Sequence, residues 1–292
     1  MAGGAVFSWT KSPPSAVTLR YCGSIVKHGT KRLYALHTEG DCPMLANILV
    51  VVVALLRTLV FGVVGIIVLL SMRLAGRDDA TRARFIWQWA ARHWARPILC
   101  SAGIVVEVRG IENVRRAGRS VITPNHQSLF DILVMVAYTP DARFVAKVEV
   151  LGYFIIGVIA RLGGQVIIDR EKRREAIGEI LTGVAANNVP MICFPEGTRY
   201  REIGLFKRGG FVGAIDAQIP VVPTALSGVV DVLPPRANPL QLTRNRKVIL
   251  EFGQPIYTVG MSINEASGLA DIVRSQIIAM QAQHVLCAAP SG

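Results

Sequence analysis

The longest apolar run of the chain covers residues 44–72, where Arg57 is the only charged side chain. This run exceeds the roughly 20 residues that a membrane-spanning helix needs. As one helix, it would place Arg57 near the bilayer centre at a cost of roughly 2.5–3.5 kcal/mol. The alternative is a break at Arg57, giving two half-length pieces that enter and leave one leaflet. Basic residues flank both ends, so the orientation stays open, but either geometry predicts a membrane anchor.

The segments on either side of this run differ in pattern. Residues 1–43 show no sustained helical or strand period and are predicted to form an irregular, disordered extension. Residues 73–96 interleave arginines with three of the four tryptophans, and Trp87 and Trp94 recur at helical spacing. Such a helix suits the headgroup layer of a membrane, and the alternative is a helix packed on the rest of the protein. We assign residues 44–99 to membrane-anchoring and interfacial helices.

From residue 100 onward the pattern changes to short apolar strands alternating with helices. An amphipathic helix is predicted over 171–186, another over 128–138, and a last one begins at Ser262, where Glu265 completes a capping box. This succession predicts an α/β domain over residues 100–292, with a single mixed or mostly parallel sheet flanked by helices. Strands are predicted over residues 104–108, 120–123, 143–146, 165–168, 191–194, 219–224 and 247–252.

Composition and charge narrow the classes of function. The net charge of +12 favours anionic partners, such as acidic lipid surfaces or phosphorylated substrates. Nucleic acid is a poorer partner, because aromatic residues are scarce and no nucleic-acid-binding motif occurs. The five cysteines are scattered singly, which argues against a zinc site or a disulfide framework. Motifs of serine hydrolases, P-loop proteins, dinucleotide enzymes and zincins do not occur in the sequence.

The strongest candidate for chemistry is the stretch 120–131, in which a buried strand runs into a polar turn and then a helix. His126 lies on the turn, Ser128 is the predicted helix N-cap, and Asp131 falls in the first helical turn. From there the carboxylate can hold one ring nitrogen of His126 and leave the other for a substrate, as an oriented general base requires. In the alternative interpretation, Ser128 and Asp131 form only a capping box.

Three further polar stretches follow predicted strands, around Arg170, around Glu196 to Arg199, and at Pro223. Open α/β sheets bind ligands at the carboxyl ends of their strands, so these residues are expected to converge with His126. The guanidinium groups of Arg170 and Arg199 are forked donors suited to a phosphate, and Thr198 and the backbone at Gly197 could add more.

Four blocks in this order resemble the glycerophosphate acyltransferase family, and most of all its 1-acylglycerol-3-phosphate acyltransferases. The family's N-H-x-x-x-x-D block is similar to residues 125–131, its G-x-x-x-[IV]-[DN]-R block to 164–170, its F-P-E-G-T-R block to 194–199, and its proline block to 221–223. The resemblance covers about residues 100–255. Ile167 departs from the bulkier aromatic residue common in the second block, and the N-terminal extension lies outside the pattern.

The resemblance implies transfer of a fatty acyl group from a thioester to the free hydroxyl of a lysophospholipid. By that analogy His126 is the general base and Asp131 orients it. The acceptor's phosphate and glycerol would be bound or organised by the remaining candidate residues, which are Lys147, Arg170, Glu196, Gly197, Thr198, Arg199 and Pro223.

The expected co-substrate is acyl-CoA or acyl carrier protein carrying the acyl group, with no metal and no other cofactor. The expected partners are a lysophospholipid acceptor and membrane lipids, with no nucleic acid. The expected location is the bacterial inner membrane, with the catalytic domain facing the cytoplasm. Two alternatives stay open at this point. The acceptor could be another lysophospholipid or a lyso-aminolipid, or the protein could be a basic lipid-binding scaffold without activity.

Overall fold

A computed structural model describes residues 43–139, 141–152, 157–158, 160–161, 165–169 and 189–288. The predicted extension up to residue 42, the predicted helix over 171–186 and the candidate site residue Arg170 lie outside the described residues. In chain order the described elements are α1 Pro43–Leu74, α2 Asp79–Ala90, a π-helical turn Ala91–Ala95, α3 Arg96–Ser101, β1 Val105–Arg109, α4 Ile111–Ala117, β2 Val121–Pro124, α5 Phe130–Tyr138, β3 Arg143–Lys147, a 3₁₀ turn Val148–Gly152, β4 Val166–Ile168, β5 Met191–Ile192, α6 Gly209–Asp216, β6 Val221–Ser227, α7 Val229–Val232, a 3₁₀ turn Pro239–Gln241, β7 Lys247–Phe252, a 3₁₀ turn Ile263–Glu265 and α8 Ala266–Ala288.

The strands form one sheet in the order β1-β7-β6-β2-β5-β3-β4. β6 and β7 run antiparallel, and every other neighbouring pair is parallel. The predicted mixed, mostly parallel sheet flanked by helices is therefore confirmed. Each predicted strand is present, with ends that match or are shifted by at most three residues. β5 is shortest, because the chain leaves the sheet after Ile192 instead of after the predicted residue 194.

Both faces of the sheet are buried, and consecutive residues along its central strands enter different cores. Val121 and Val221 belong to a cluster with α6 and α8, whereas Ile122 and Val222 belong to a cluster with α3 and α5. Side chains alternate between the faces of a strand, so burial on both faces favours consecutive apolar residues. This explains why both residues of each pair, Val121 and Ile122 in β2 and Val221 and Val222 in β6, are apolar.

α1 is one continuous helix through Arg57, so the described structure does not have the predicted alternative of a break there. It is 32 residues long, which gives a length of about 48 Å. One face packs on the rest of the protein and buries Val50, Phe61 and Leu69, whereas Arg57 is exposed. Residues 44–74 are long and apolar enough to cross a membrane, and 22% of the most apolar window is buried against the protein. The exposed large apolar side chains on α1 are Met44, Leu45, Ile48, Leu49, Val52, Leu55, Leu56, Leu59, Val60, Val63, Val64, Ile67, Leu70 and Leu74.

Two tryptophans after α1 donate their indole N–H groups to protein acceptors. Trp87 is 5% exposed, donates its indole N–H to the carbonyl of Thr139 at 3.0 Å and packs on the ring of Phe144. Trp94 is partly exposed and donates its indole N–H to Thr58 Oγ1 of α1 at 2.9 Å. Trp87 is therefore packed on the rest of the protein, as the alternative for this segment states, and its indole N–H has a partner, as in most buried indoles. The position of Trp94 in the headgroup layer stays a prediction.

Asn47 ties the start of α1 to the α/β domain. Its Nδ2 donates to the carbonyls of Leu240 and Leu242 at 2.9 and 2.7 Å. We expect Asn47→Ala to lower the free energy of unfolding by about 1–3 kcal/mol, because it leaves a buried carbonyl without its donor. The melting temperature of the detergent-solubilised protein measures this loss. Ser71→Ala is the control, since the Ser71 hydroxyl bonds only to the carbonyl of Ile67 one turn back. Equal melting temperatures for the two variants would contradict the expectation.

Candidate active site

His126 lies on the turn between the end of β2 at Pro124 and the start of α5 at Phe130. Its Nδ1 is 2.9 Å from Asp131 Oδ2, as the spacing of the two residues predicts. The N-cap is Leu129, one residue later than the predicted Ser128, and the helix begins at Phe130. The predicted cap, Ser128, instead donates its hydroxyl to the carbonyl of Leu233 at 2.8 Å and accepts from Phe130 N–H at 3.2 Å.

Asp131 is fully buried and holds the turn through a single carboxylate oxygen. Besides the imidazole, Oδ2 accepts hydrogen bonds from the backbone N–H groups of Gln127 at 2.7 Å and Ser128 at 2.8 Å. Burial raises the pKa of Asp131, and the hydrogen bonds from His126 and the two backbone amides oppose that rise. The alternative of a capping box alone is therefore wrong, because Leu129 is the N-cap and Asp131 also contacts the imidazole. The same carboxylate binds the turn backbone and orients the imidazole.

Glu196 connects this turn to the loop that follows β5. Its Oε1 accepts from the backbone N–H of His126 at 2.7 Å, and its Oε2 accepts from the N–H of Gly204 at 2.9 Å. The N–H of Tyr200 also donates to the carbonyl of His126 at 3.1 Å. Glu196 is 2% exposed, and burial raises the pKa of its carboxyl group. With both oxygens bound by backbone amides, the Glu196 side chain organises the loop and does not reach into the cavity.

Phe194 supports the imidazole, a role that the sequence analysis missed. Its ring stacks on His126 with the ring centroids 4.1 Å apart and an interplanar angle of 26°. Phe144 of β3 stacks in turn on Phe194 at 6.2 Å. The ring of His126 is thus fixed on one edge by Asp131 and on one face by Phe194. The only sign of this role in the sequence was the position of Phe194 in the F-P-E-G-T-R block. An aromatic residue at the end of a strand is more often part of the hydrophobic core.

A cavity of about 520 Å³ opens beside His126. Lys147, Gly197 and Arg199 line it together with His126, so the structure brings these four candidate residues to one place. Two other candidates lie elsewhere. Thr198 is exposed and Pro223 is buried in β6, paired with Thr123 of β2. The N-terminal helices also contribute to the lining, mostly with apolar side chains, through Thr58, Phe61, Ile86, Trp87, Ala90 and Trp94.

The arrangement can move a proton at one defined atom. If Nδ1–H donates to Asp131, the neutral imidazole presents Nε2 as an acceptor. Within the described part of the chain, no protein group hydrogen bonds to Nε2. The two cationic side chains of the cavity provide donors for an anionic group of a ligand. Among the described residues, no group of three or more His, Cys, Asp or Glu side chains could hold a metal ion.

Comparison with known proteins gives consistent results. Residues 105–227 match the model of a family described as Acyltransferase. The 1-acyl-sn-glycerol-3-phosphate acyltransferase of Haemophilus influenzae is 30% identical over 177 residues, which are 58% of this chain and 70% of that protein. The mouse 1-acyl-sn-glycerol-3-phosphate acyltransferase alpha is 32% identical over 182 residues, which are 60% of this chain and 63% of that protein. The match thus spans slightly less than two thirds of the mouse protein's length.

A solved structure is also similar. The crystal structure of the 1-acyl-sn-glycerophosphate (LPA) acyltransferase PlsC from Thermotoga maritima superposes with a TM-score of 0.65 and is 25% identical in sequence. The superposition covers 83% of this chain and all of that chain. The similarity therefore extends well beyond the 123 positions of the family model, 105 to 227, toward both ends of the chain.

The raised pKa of Glu196 predicts a dependence of stability on pH. Its pKa in the folded protein lies above the unfolded value of about 4.3. The stability that this group contributes is therefore complete below about pH 4.3 and is lost as the pH rises through the folded pKa. The side chain of Glu196→Gln cannot titrate. Between about pH 4.3 and the folded pKa of Glu196, the melting temperature of the wild type should therefore fall relative to that of Glu196→Gln. The assignment would be contradicted if the melting temperature of the wild type increased relative to that of Glu196→Gln as the pH rises.

Proposed function

Since the chain belongs to the acyltransferase family of the 1-acyl-sn-glycerol-3-phosphate acyltransferases, we propose that it acylates the sn-2 hydroxyl of lysophosphatidic acid. The acyl donor is a thioester, either acyl-CoA or acyl carrier protein, and the product is phosphatidic acid for phospholipid synthesis. The observation that carries the proposal is the hydrogen-bonded pair of His126 and Asp131 beside a cavity that also contains Lys147 and Arg199.

His126 acts as the general base in this proposal. Its Nε2 takes the proton of the acceptor hydroxyl while the hydroxyl oxygen attacks the thioester carbonyl carbon. When the tetrahedral intermediate collapses, the C–S bond breaks and the imidazolium returns the proton to the thiolate. An ester and a free thiol result. Asp131 keeps the proton on Nδ1 before the attack and stabilises the imidazolium that forms after it.

The lining of the cavity combines the two kinds of group that the substrates need. Lys147 and Arg199 supply cations for a phosphate, and most of the other lining residues, including several from the helices before residue 99, are apolar and suit hydrocarbon. Cationic groups within a mostly apolar lining match an amphipathic lipid better than a small polar metabolite. Arg170, outside the described residues, remains a predicted third phosphate contact. The contacts of Thr198 and Pro223 with substrate also remain predictions.

The proposal includes association with a membrane, where the acceptor lipid resides. The exposed face of α1 supports it, because a row of Leu, Ile and Val side chains on a 32-residue helix favours burial in hydrocarbon. Exposed basic residues on the neighbouring helices, among them Arg84 and Arg92, suit anionic headgroups. A position at the bacterial inner membrane, with the α/β domain facing the cytoplasm, completes the proposal.

Purified protein in mixed micelles tests the function directly. It is given lysophosphatidic acid with acyl-CoA in one series and acyl carrier protein carrying the acyl group in another, and phosphatidic acid is quantified. We expect product with at least one donor. The other candidate acceptors are tested in the same way. If product forms only from a different lysophospholipid or a lyso-aminolipid, that lipid is the acceptor and lysophosphatidic acid is not. If no acceptor is acylated, the alternative of a lipid-binding scaffold without activity is supported.

The catalytic pair gives the first kinetic prediction. We expect His126→Ala to lower kcat by roughly 10²–10⁴-fold, the usual contribution of a general base. Asp131→Asn should lower it less, because the base remains but loses its orientation. Rates are compared at equal amounts of folded protein, with His93→Ala at an exposed position as the control. Turnover close to wild type in His126→Ala would remove His126 from the mechanism.

Arg199 gives the second kinetic prediction. Arg199→Lys keeps the charge but cannot form two parallel hydrogen bonds to a phosphate. We expect a higher KM for lysophosphatidic acid and little change in the KM for the thioester. Arg201→Lys is the matched control, because Arg201 is exposed and does not line the cavity. If only the KM for the thioester increased, Arg199 would bind the acyl donor and not the phosphate of the acceptor.

A further inference from the structure

Polar side chains on α8 form hydrogen bonds to the loops that carry the active-site residues. Arg274 and Gln281 lie two helical turns apart, and His284 follows within a further turn. The buried Val273 and Ile277 fix this part of the helix against the sheet. The three polar side chains therefore contact fixed neighbours. These are the turn after β2, the loop after β5 and the end of β6.

Gln281 contacts the residue next to the catalytic histidine. Its Nε2 donates to Gln127 Oε1 at 3.0 Å and to the carbonyl of Leu226 at 2.7 Å. Gln127 is 6% exposed, and its Nε2 donates to the carbonyl of Arg201 at 2.6 Å. Asn125 also donates to Gln127 Oε1, at 2.8 Å. Gln127 thus connects the turn of His126 to the loop after β5, and Gln281 holds it from behind.

The chemistry of the acceptors fixes the orientation of these amides. The carbonyls of Arg201 and Leu226 can only accept, so each must face an NH₂ group. Gln127 therefore turns its Oε1 toward Gln281, and Gln281 turns its Nε2 toward Gln127. Reversing either amide would place two donors or two acceptors against each other. The network consequently admits one arrangement, in which Asn125 and Gln281 both donate to Gln127 Oε1 and to the carbonyl of Leu226.

Arg274 braces the other side of the same loop. Its Nε donates to the carbonyl of Gly204 at 2.7 Å, and its Nη2 donates to the carbonyl of Ile203 at 2.9 Å. Gly204 is the residue whose N–H binds Glu196, and Glu196 binds the N–H of His126. The turn that carries His126 therefore receives support from α8 by two routes, one through Gln127 and one through Glu196.

We propose that Gln281 is a positioning residue for His126, setting the place of the catalytic turn through its hydrogen bond to Gln127. Gln127 also donates its backbone N–H to Asp131 Oδ2 at 2.7 Å, so a shift of Gln127 disturbs the histidine and its orienting carboxylate together. Gln281 itself does not line the cavity beside His126. Its effect is on kcat and not on the affinity for either substrate. This inference rests on the proposed acyl transfer.

Two variants and a matched control test the proposal. Gln281→Met keeps the length of the side chain without a donor, and Gln281→Asn keeps the amide but shortens its reach. Gln283→Met makes the same change as the first variant at an exposed position of the same helix. We expect Gln281→Met to lower kcat by about tenfold to a hundredfold, the scale of a displaced catalytic group, with both KM values unchanged. Gln281→Asn should lie between it and the wild type, and Gln283→Met should match the wild type.

Hydrogen exchange provides a readout that does not depend on the reaction. The backbone N–H groups of His126, Gln127 and Ser128 should exchange faster in Gln281→Met and at the wild-type rate in Gln283→Met. Unchanged exchange overturns the proposal, as does an unchanged kcat per folded molecule or a rise in KM alone. If Gln281→Met does not fold, Gln281→Asn is judged by the same criteria. A wild type without acyl transfer would refute the proposed function, and the exchange rates would still decide the role of Gln281.

Discussion

The active site depends on a carboxylate that is completely removed from water. Burying a charged group is costly unless hydrogen-bond donors compensate, and Asp131 receives its donors on Oδ2, from the histidine and from the turn that it must hold. Its buried Oδ1 has no hydrogen-bond partner among the described residues. The arrangement is mutual. The carboxylate needs that turn to be in place in order to be buried, and the turn needs the carboxylate to keep its shape. The surrounding loops contribute by excluding water from the carboxylate and by holding its hydrogen-bond donors in place.

Backbone groups make most of the connections around this carboxylate. Glu196 binds two amides, Arg274 two carbonyls, and Asn125 both the N–H and the carbonyl of Leu226. Such contacts set the course of loops more firmly than contacts between flexible side chains, because backbone positions are shared with the strands on either side. The histidine is therefore placed by the sheet, although it belongs to no strand.

The sequence predicted the sheet, the apolar anchor over 44–72 and the pair of His126 and Asp131, because apolar pattern and short spacing are local properties. It left open whether the anchor is one helix or breaks at Arg57. It could not predict the contacts of Trp87, since the same spacing of aromatic residues suits a membrane surface and a protein core. Nor could it predict Gln281, which lies 154 positions from Gln127 and has an ordinary polar place on a helix. For Glu196 the motif was recognisable, but its partners were backbone amides that leave no trace in the side-chain pattern.

The short length of β5 has a consequence for how the cavity is made. β5 pairs with β2 and β3 through only two residues on each side, and then Cys193 and Phe194 leave the sheet. β3 continues beyond that point and pairs with β4 alone, through Val145, Ala146 and Lys147, which all line the cavity. The cavity thus opens beside the end of β5, along the part of β3 that pairs with β4 alone. Its position follows from the length of one strand, whereas its shape also depends on lining side chains of the N-terminal helices, such as Phe61 and Trp94.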